Sequence, residues 1–474
     1  MSEELCLMTA AELATHIRAR RLSCTEVMQA HIERIDRLNA QVNALVTCIP
    51  ERALTIARSY DEALAHGTAP SLKEAPLYGL PVAHKDLTET RGLRTTYGSP
   101  IFADYVPAFD ALIVDRLKRA GAITVGKTNT PEFGAGSQTF NAVFGVTRNP
   151  YDLDKTCGGS SGGSAVALAC RMLPLADGSD MGGSLRNPAS FCNIVGFRTT
   201  PGRVPVWPDL APYMPLSVVG PMARTVSDVA LMLSAIAGPD PRAPLSLDEP
   251  GASFREPLAS DLHGLRIAWA PDLGGLPVDH EVATVFAAQR PIFESLGCLV
   301  EDAHPDLSDA DEIFLTLRAM HFELSLGNLL EEHRAQMKDT VIWNIEAGQQ
   351  LRGPAIGQAL RKHSQLLAHM RAFFNRYDAM VLPVSQVPPF PIEQPYVTEI
   401  NGVPMQNYIE WMRSCYWISV TGQPALAVPG GFTSTGLPVG LQIVGRPRDE
   451  RLLLRLGYAF EQATGYYRHQ PAMV

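Results

Sequence analysis

The sequence predicts an α/β fold, a layered sandwich built as one large domain. Three observations lead there. From about Leu77 onward, short apolar strand-like runs alternate with amphipathic helical runs. The chain has 474 residues, 46% of them apolar, enough for a sizeable core. Charges are spread throughout, with no internal repeat and no low-complexity linker to divide it.

Residues 9 to 66 read as helical. Thr9-Ala-Ala-Glu12 is a capping box, continued by the apolar face of Leu13 and Ile17. Ser23-Cys-Thr-Glu26 opens a second, with Val27, Ile32 and Ile35 at helical spacing. Leu80-Pro-Val-Ala83 is a strand, Ile113 to Arg119 an amphipathic helix and Ala122-Ile-Thr-Val125 another strand. Ala165 to Cys170 reads as a helix of small residues, and the Pro-, Asp- and Ser-rich stretch 240–262 as a surface excursion. Leu265 to Trp269 resumes strand character, and residues 280–375 are expected to be mostly helical, a cap or insertion. Met380 to Pro383, Ala425 to Val428 and Val439 to Val444 are strands, the last two joined as a hairpin.

The net charge of −9 argues against a nucleic-acid partner, which would require a basic face. No apolar run reaches the ~18–20 residues that span a bilayer, and the acidic N-terminus lacks a secretory signal pattern. The expectation is a cytoplasmic protein without membrane partners. Eight cysteines stand at irregular spacing with no C-x-x-C pair. They read as free thiols in a reducing compartment, and they form no zinc site with the histidines.

The most informative stretch is Gly158-Gly-Ser160-Ser161-Gly-Gly-Ser164, followed by Asp180-Met181-Gly182-Gly183-Ser184. Glycine lets backbone N–H groups approach a substrate closely. A hydroxyl beside such a run attacks a carbonyl while the N–H groups hold the oxyanion. Acyl transfer by a serine nucleophile is therefore the first reading. A flexible linker is the bland one, but linkers are not flanked by compact helix and strand patterns. Lys85 supplies a candidate base. Only seven of the 40 basic residues are lysines, and Lys85 ends the apolar run at 80–83. Burial there would lower its pKa and make it a neutral base near pH 7.

Two other motifs compete. Gly121-Ala-Ile-Thr-Val-Gly-Lys127-Thr128 fits the phosphate-loop pattern, but a helix precedes it and its variable positions are strand-like, the reverse of what that loop needs. Gly158-Gly-Ser160-Ser-Gly162 fits the serine elbow of Ser-His-Asp hydrolases. That reading needs a strand before the elbow, where the polar loop Asn149 to Cys157 stands. It also needs a later histidine from His263, His280, His321, His333, His363, His369 and His469, none in a distinctive motif.

Along nearly its whole length the chain resembles the amidase signature hydrolases. The resemblance rests on Pro76 to Asp86, Gly126 to Glu132, Phe144 to Pro150, Gly158 to Ala165, Gly178 to Arg186, Pro424 to Pro429 and Gly436 to Gly445. It implies a mixed, twisted sheet between helical layers: N-terminal helices about 9–66, a catalytic core about 76–235, the cap, and C-terminal strands about 378–474. It implies Ser184 as nucleophile, Ser160 as bridging serine in a cis peptide with Gly159, and Lys85 as base. It further implies the N–H groups of Met181, Gly182, Gly183 and Ser184 as oxyanion hole, and Ser161, Asp180 and Arg186 as supports. Cys157 replaces the family's usual proline, and Arg198-Thr199-Thr200 its usual Lys-Pro-Thr.

The implied reaction is hydrolysis of a carboxamide, with anilide, carbamate and ester as relatives, and no cofactor or metal. By resemblance Phe133, Gly134, Ala135 and Gly136 border the acyl pocket. Tyr408, Trp411, Met412, Tyr416 and Trp417 form an aromatic cluster that either packs the core or lines the mouth. The expected partners are a small amide-like substrate and water, with a homodimer as the open assembly state. The chain also resembles the catalytic component of the tRNA-dependent amidotransferases, the A-type glutaminase that works inside a complex.

Overall fold

A computed structural model describes residues 2–214 and 216–474. Its eleven-stranded sheet comprises β1 (Leu45–Cys48), β2 (Pro81–Lys85), β3 (Ile123–Thr128), β4 (Leu175–Asp180), β5 (Val195–Arg198), β6 (Val218–Ala223), β7 (Arg266–Trp269), β8 (Leu299–Asp302), β9 (Ala379–Pro383), β10 (Ala425–Phe432) and β11 (Pro438–Gly445). They lie in the order β1-β3-β2-β4-β6-β5-β10-β11-β9-β7-β8. β2 pairs in parallel with β3 and β4, β7 in parallel with β8 and β9, and the remaining pairs are antiparallel. The sheet is mixed.

Strand alternation sends side chains into two cores. On β7 and β9, Ile267, Trp269, Ala379 and Val381 join Phe286, Phe293, Leu453 and Phe460 on one side. Ala268, Met380 and Leu382 join Phe314, Met370, Phe374 and Trp411 on the other. Such strands read as continuous apolar runs because both faces are covered.

Both capping boxes form: Thr9 and Ser23 accept from the backbone N–H three residues on, and Glu12 and Glu26 return the bond. Their helices span Ala10–Arg18 and Cys24–Val42. The late hairpin forms as β10 and β11, with a register shift between Pro429 and Gly431.

The structure corrects the reading in one place and adds to it in two. Residues 9–66 are not helical throughout, because β1 intervenes after Asn43 ends its helix in the left-handed conformation. Residues 280–375 contain the edge strand β8 besides the helices His280–Ala287, Arg290–Ser295, Ala310–His333, Asp339–Gln349 and Gly353–Phe374. The central strands β4, β5 and β6 carry small and polar residues such as Asp177, Gly178, Gly196 and Gly220, so their strand character is weak. Closing the sheet around them buries them all the same.

Among the described residues no helix is long and apolar enough to cross a membrane.

Candidate active site

Parallel pairing of β2 with β4 sets the site. Asp177 and Ser179 are two residues apart on β4 and so share a face. Asp177 Oδ1 accepts from Lys85 N at 2.8 Å, and its Oδ2 lies 2.6 Å from His84 Nδ1. Ser179 Oγ lies 3.0 Å from Lys85 Nζ. His84 is buried and held by Asp177 and Thr124, so it orders the strand rather than facing the cavity. Ser179 carried no role in the sequence reading; the Asp-x-Ser alternation is the signal that marks it.

Lys85 Nζ also lies 2.6 Å from Ser160 Oγ. The amine is fully buried, and burial pushes it down to about 7, against the opposing pull of Asp180 and Asp177. The Gly159–Ser160 peptide is cis. Ser160, Ser179 and Ser184 all line one cavity of about 340 Å³, together with Leu87, Tyr97, Phe133, Gly134, Met181, Arg318, His321 and Phe322. Gly134, at φ +72°, passes so close that a Cβ there would sit 3.4 Å from Ser160 Oγ.

The loop after β4 is held from beneath by a buried charge network. Arg186 donates to both oxygens of Asp180 at 3.0 Å, and Arg198 approaches within 3.4 Å. All three side chains are inaccessible to solvent. Burial pushes the Asp180 carboxyl up, but Arg186 and Arg198 outweigh it and hold it well below the usual range. Arg186 continues to Cys415 O, Ser419 Oγ and Gln442 Oε1, tying the loop to β11 and to the helix Arg413–Val420. Arg198, where the family pattern has Lys, is thus a second cation on Asp180. Ser161 Oγ bonds the backbone of Ser179 at 3.3 Å in both directions.

One member leaves the implied oxyanion set. Gly183, at φ +116°, donates its N–H to Asp180 Oδ1 at 2.8 Å; a Cβ there would meet Cys415 at 2.5 Å. The N–H groups of Met181, Gly182 and Ser184 have no acceptor among the described residues.

The candidate pocket residues separate. Phe133 and Gly134 line the cavity with the serines, Phe133 stacking on Tyr97 at 6.4 Å. Gly136, Tyr408 and Trp411 line a neighbouring cavity of about 480 Å³ that also holds Lys338 and Trp343. Ala135, Met412 and Tyr416 are buried in apolar clusters, and Trp417 packs against one of them. Arg318 and Phe322, from the Ala310–His333 helix, were not singled out in the sequence, since nothing local marks an inward arginine there.

Neither competing motif matches its own geometry. Residues 123–128 of the phosphate-loop pattern are strand β3, preceded by the helix Leu112–Arg119. Lys127 is buried and donates to Thr88 O and Thr90 Oγ1. The serine-elbow pattern sets Ser160 beside Lys85, not beside a histidine. Of the candidate histidines, His321 lines the cavity, and burial lowers its pKa.

Comparison with known proteins shows the family. The Amidase family model matches residues 26–454. The chain is 35% identical to an acylamidase of Rhodococcus erythropolis, over 99% of this chain and 98% of that protein. It is 36% identical to the A-type subunit of the glutamyl-tRNA(Gln) amidotransferase of Moorella thermoacetica, over 99% of each. The structure of a bacterial aryl acylamidase of the amidase signature family matches with a TM-score of 0.89 at 27% identity, covering 97% of this chain and 98% of that one. With a mixed sheet flanked by helices and serines of two signature runs at one cavity, the chain belongs to the amidase signature family and is a hydrolase of amide C–N bonds.

Proposed function

We propose that the protein cleaves a small amide through an acyl-enzyme on Ser184, with Ser160 as proton bridge and Lys85 as base. The observation that carries this is the 2.6 Å contact between Lys85 Nζ and Ser160 Oγ, at a buried amine brought down to about 7. At that pKa the amine is uncharged in a large fraction of molecules at neutral pH, and its lone pair accepts a proton.

Neutral Lys85 takes the Ser160 proton as Ser160 takes that of Ser184. Ser184 Oγ attacks the carbonyl carbon, and the oxyanion is held by the N–H groups of Met181, Gly182 and Ser184. Collapse breaks the C–N bond, and the relay returns the proton to the leaving amine. Water then adds to the acyl ester by the same route, releasing the acid and restoring Ser184. Asp180, Arg186, Arg198 and Ser161 keep the backbone donors in place. Losing one such donor typically costs ~10²–10³ in rate, so the network under the loop matters as much as the reacting groups.

Anilides, carbamates and esters pass through the same tetrahedral geometry. The test is a chromogenic panel of anilides, primary amides, carbamates and esters, run on wild type and Ser184→Ala with intact-mass detection of the acyl-enzyme. Turnover by wild type with loss of both signals in the variant is expected. Substantial turnover by Ser184→Ala overturns the assignment.

The 36% identity to the A-type component of an amidotransferase, over 99% of both chains, supports a second reading, a glutaminase within a complex. Glutaminase activity that appears only with charged tRNA and the other components of such a complex would select it.

A further inference from the structure

The other buried arginines of this protein are held either by a carboxylate or by main-chain carbonyls, and Arg318 uses neither. Arg186 and Arg198 face Asp180, and Arg203 faces Glu450. Arg34, Arg171 and Arg224 donate to main-chain carbonyls. Arg318 is 6% exposed and lines the cavity that holds Ser160 and Ser184. Its guanidinium donates only to neutral side-chain atoms: Nε to Asn344 Oδ1 at 2.9 Å, Nη1 to Met181 Sδ at 3.4 Å and Nη2 to Tyr408 Oη at 2.8 Å. Among the described residues no carboxylate oxygen comes within 4.0 Å of it. A buried cation with no counter-charge is costly.

The neighbours hold the arginine in position without neutralising it. Asn344 Nδ2 donates to Thr340 O at 2.5 Å, which fixes its amide so that the oxygen faces Arg318. The same nitrogen donates to Tyr408 Oη at 2.6 Å. Tyr408 Oη therefore accepts twice, and for its O–H the described residues provide no acceptor. Phe322 covers the guanidinium at 4.6 Å. A guanidinium has five N–H groups, so with three spent, donors remain on the terminal nitrogens. Two carboxylates stand on the cavity wall and neither answers this charge: Glu89 accepts from Tyr97 Oη at 2.9 Å, and Asp209 is exposed at the rim. Contact with Met181 sets the unanswered cation one side chain from the loop that carries Ser184.

We propose that Arg318, oriented by Asn344 and Tyr408, binds a carboxylate on the substrate, so that the enzyme selects amides bearing an anionic group about one side-chain length from the scissile carbonyl. This rests on the amidase reading of the same cavity. The carboxylate sits on either the acyl or the amine portion, and the test separates the two. One series pairs butyryl with succinyl and glutaryl 4-nitroanilides. The other pairs acetanilide with N-acetyl-aminobenzoates.

Wild type is expected to favour the charged member of one series at least tenfold in kcat/KM. In Arg318→Gln that preference ratio should fall about 10- to 100-fold, the worth of a charge-assisted hydrogen bond, mainly through KM, with Arg318→Lys restoring part of it. Tyr408→Phe, which keeps the ring, should lower the ratio less, and it serves if the arginine variant does not fold. Glutarate should raise the melting temperature of wild type and of Ser184→Ala, and not that of Arg318→Gln. A wild type that prefers the neutral member in both series, or a ratio unchanged by Arg318→Gln or by Tyr408→Phe, overturns the proposal. Glutarate binding that survives while no amide is turned over would sink the catalytic reading and leave the anion site standing.

Discussion

The signature core and the helical region after residue 280 handle buried charge in opposite ways. In the core Asp180 is enclosed by Arg186 and Arg198, with every member inaccessible to solvent and both cations turned onto the one carboxylate. In the helical region Arg318 is held by an amide, a phenol and a thioether and turned toward the cavity. A closed network gives up binding capacity for a fixed backbone, which suits a loop whose N–H groups must hold an oxyanion. An open one keeps its charge available, which suits the choice of a ligand. The two lysines at the ends of β2 and β3 repeat the contrast: Lys85 reaches two serine hydroxyls at the cavity, while Lys127 is spent on Thr88 and Thr90.

The predictions test that division. Ser184→Ala should lower kcat/KM by on the order of 10⁴-fold or more, the scale of a lost nucleophile, with no acyl-enzyme by mass. Lys85→Met should cost about 10²- to 10⁴-fold in kcat, as expected for a lost base. Lys127→Met, probed by the same assay, should leave the pH profile in place; if it also removes the profile, the contrast between the two lysines fails. Asp180→Asn leaves two buried cations facing an amide and should destabilise the protein by about 3–5 kcal/mol in urea denaturation. A loss under 1 kcal/mol would show that the network is not closed.

The pH dependence is smaller. Lys85 must be uncharged to act, and its pKa stands near 7. Its uncharged fraction therefore falls about tenfold between pH 8 and pH 6, and kcat/KM should fall with it while holding level above pH 8. A bell near pH 6.5, abolished by replacing His321, would instead return the serine elbow. Linkage gives a companion sign: the folded pKa lies below the unfolded 10.5, so folding stability should rise with pH between about 7 and 10.5. The smallest effect belongs to the helix Gly353–Phe374. Leu360 is 48% exposed, and Leu360→Gln should change stability by less than about 0.5 kcal/mol.

The candidate site was largely legible because its parts are local in sequence. Glycine and serine runs and a lysine ending an apolar strand declare themselves by spacing. Gly183 shows the limit: its place in the run suggested an oxyanion donor, and only the turn of its backbone commits that N–H to Asp180. Strands β4 to β6 escaped because Asp177, Gly178, Gly196 and Gly220 carry little strand propensity. The aromatic residues at 408–417 were grouped by their closeness in sequence, yet they divide between a second cavity and the core.

What the sequence determined by itself was the α/β layering and the capped N-terminal helices, since each depends on periodicity or on neighbours a few residues apart, and the candidate acyl-transfer groups, which the signature runs single out by resemblance. What only the tertiary structure decided was which side chains meet across long separations. Lys85 meets Ser179 because β2 lies beside β4, and Arg318 meets Tyr408 and Asn344 because the helices Ala310–His333 and Asp339–Gln349 pack together beside residue 408. Such meetings are set by the burial of whole elements, a sum over many weak contacts that no short stretch of sequence records.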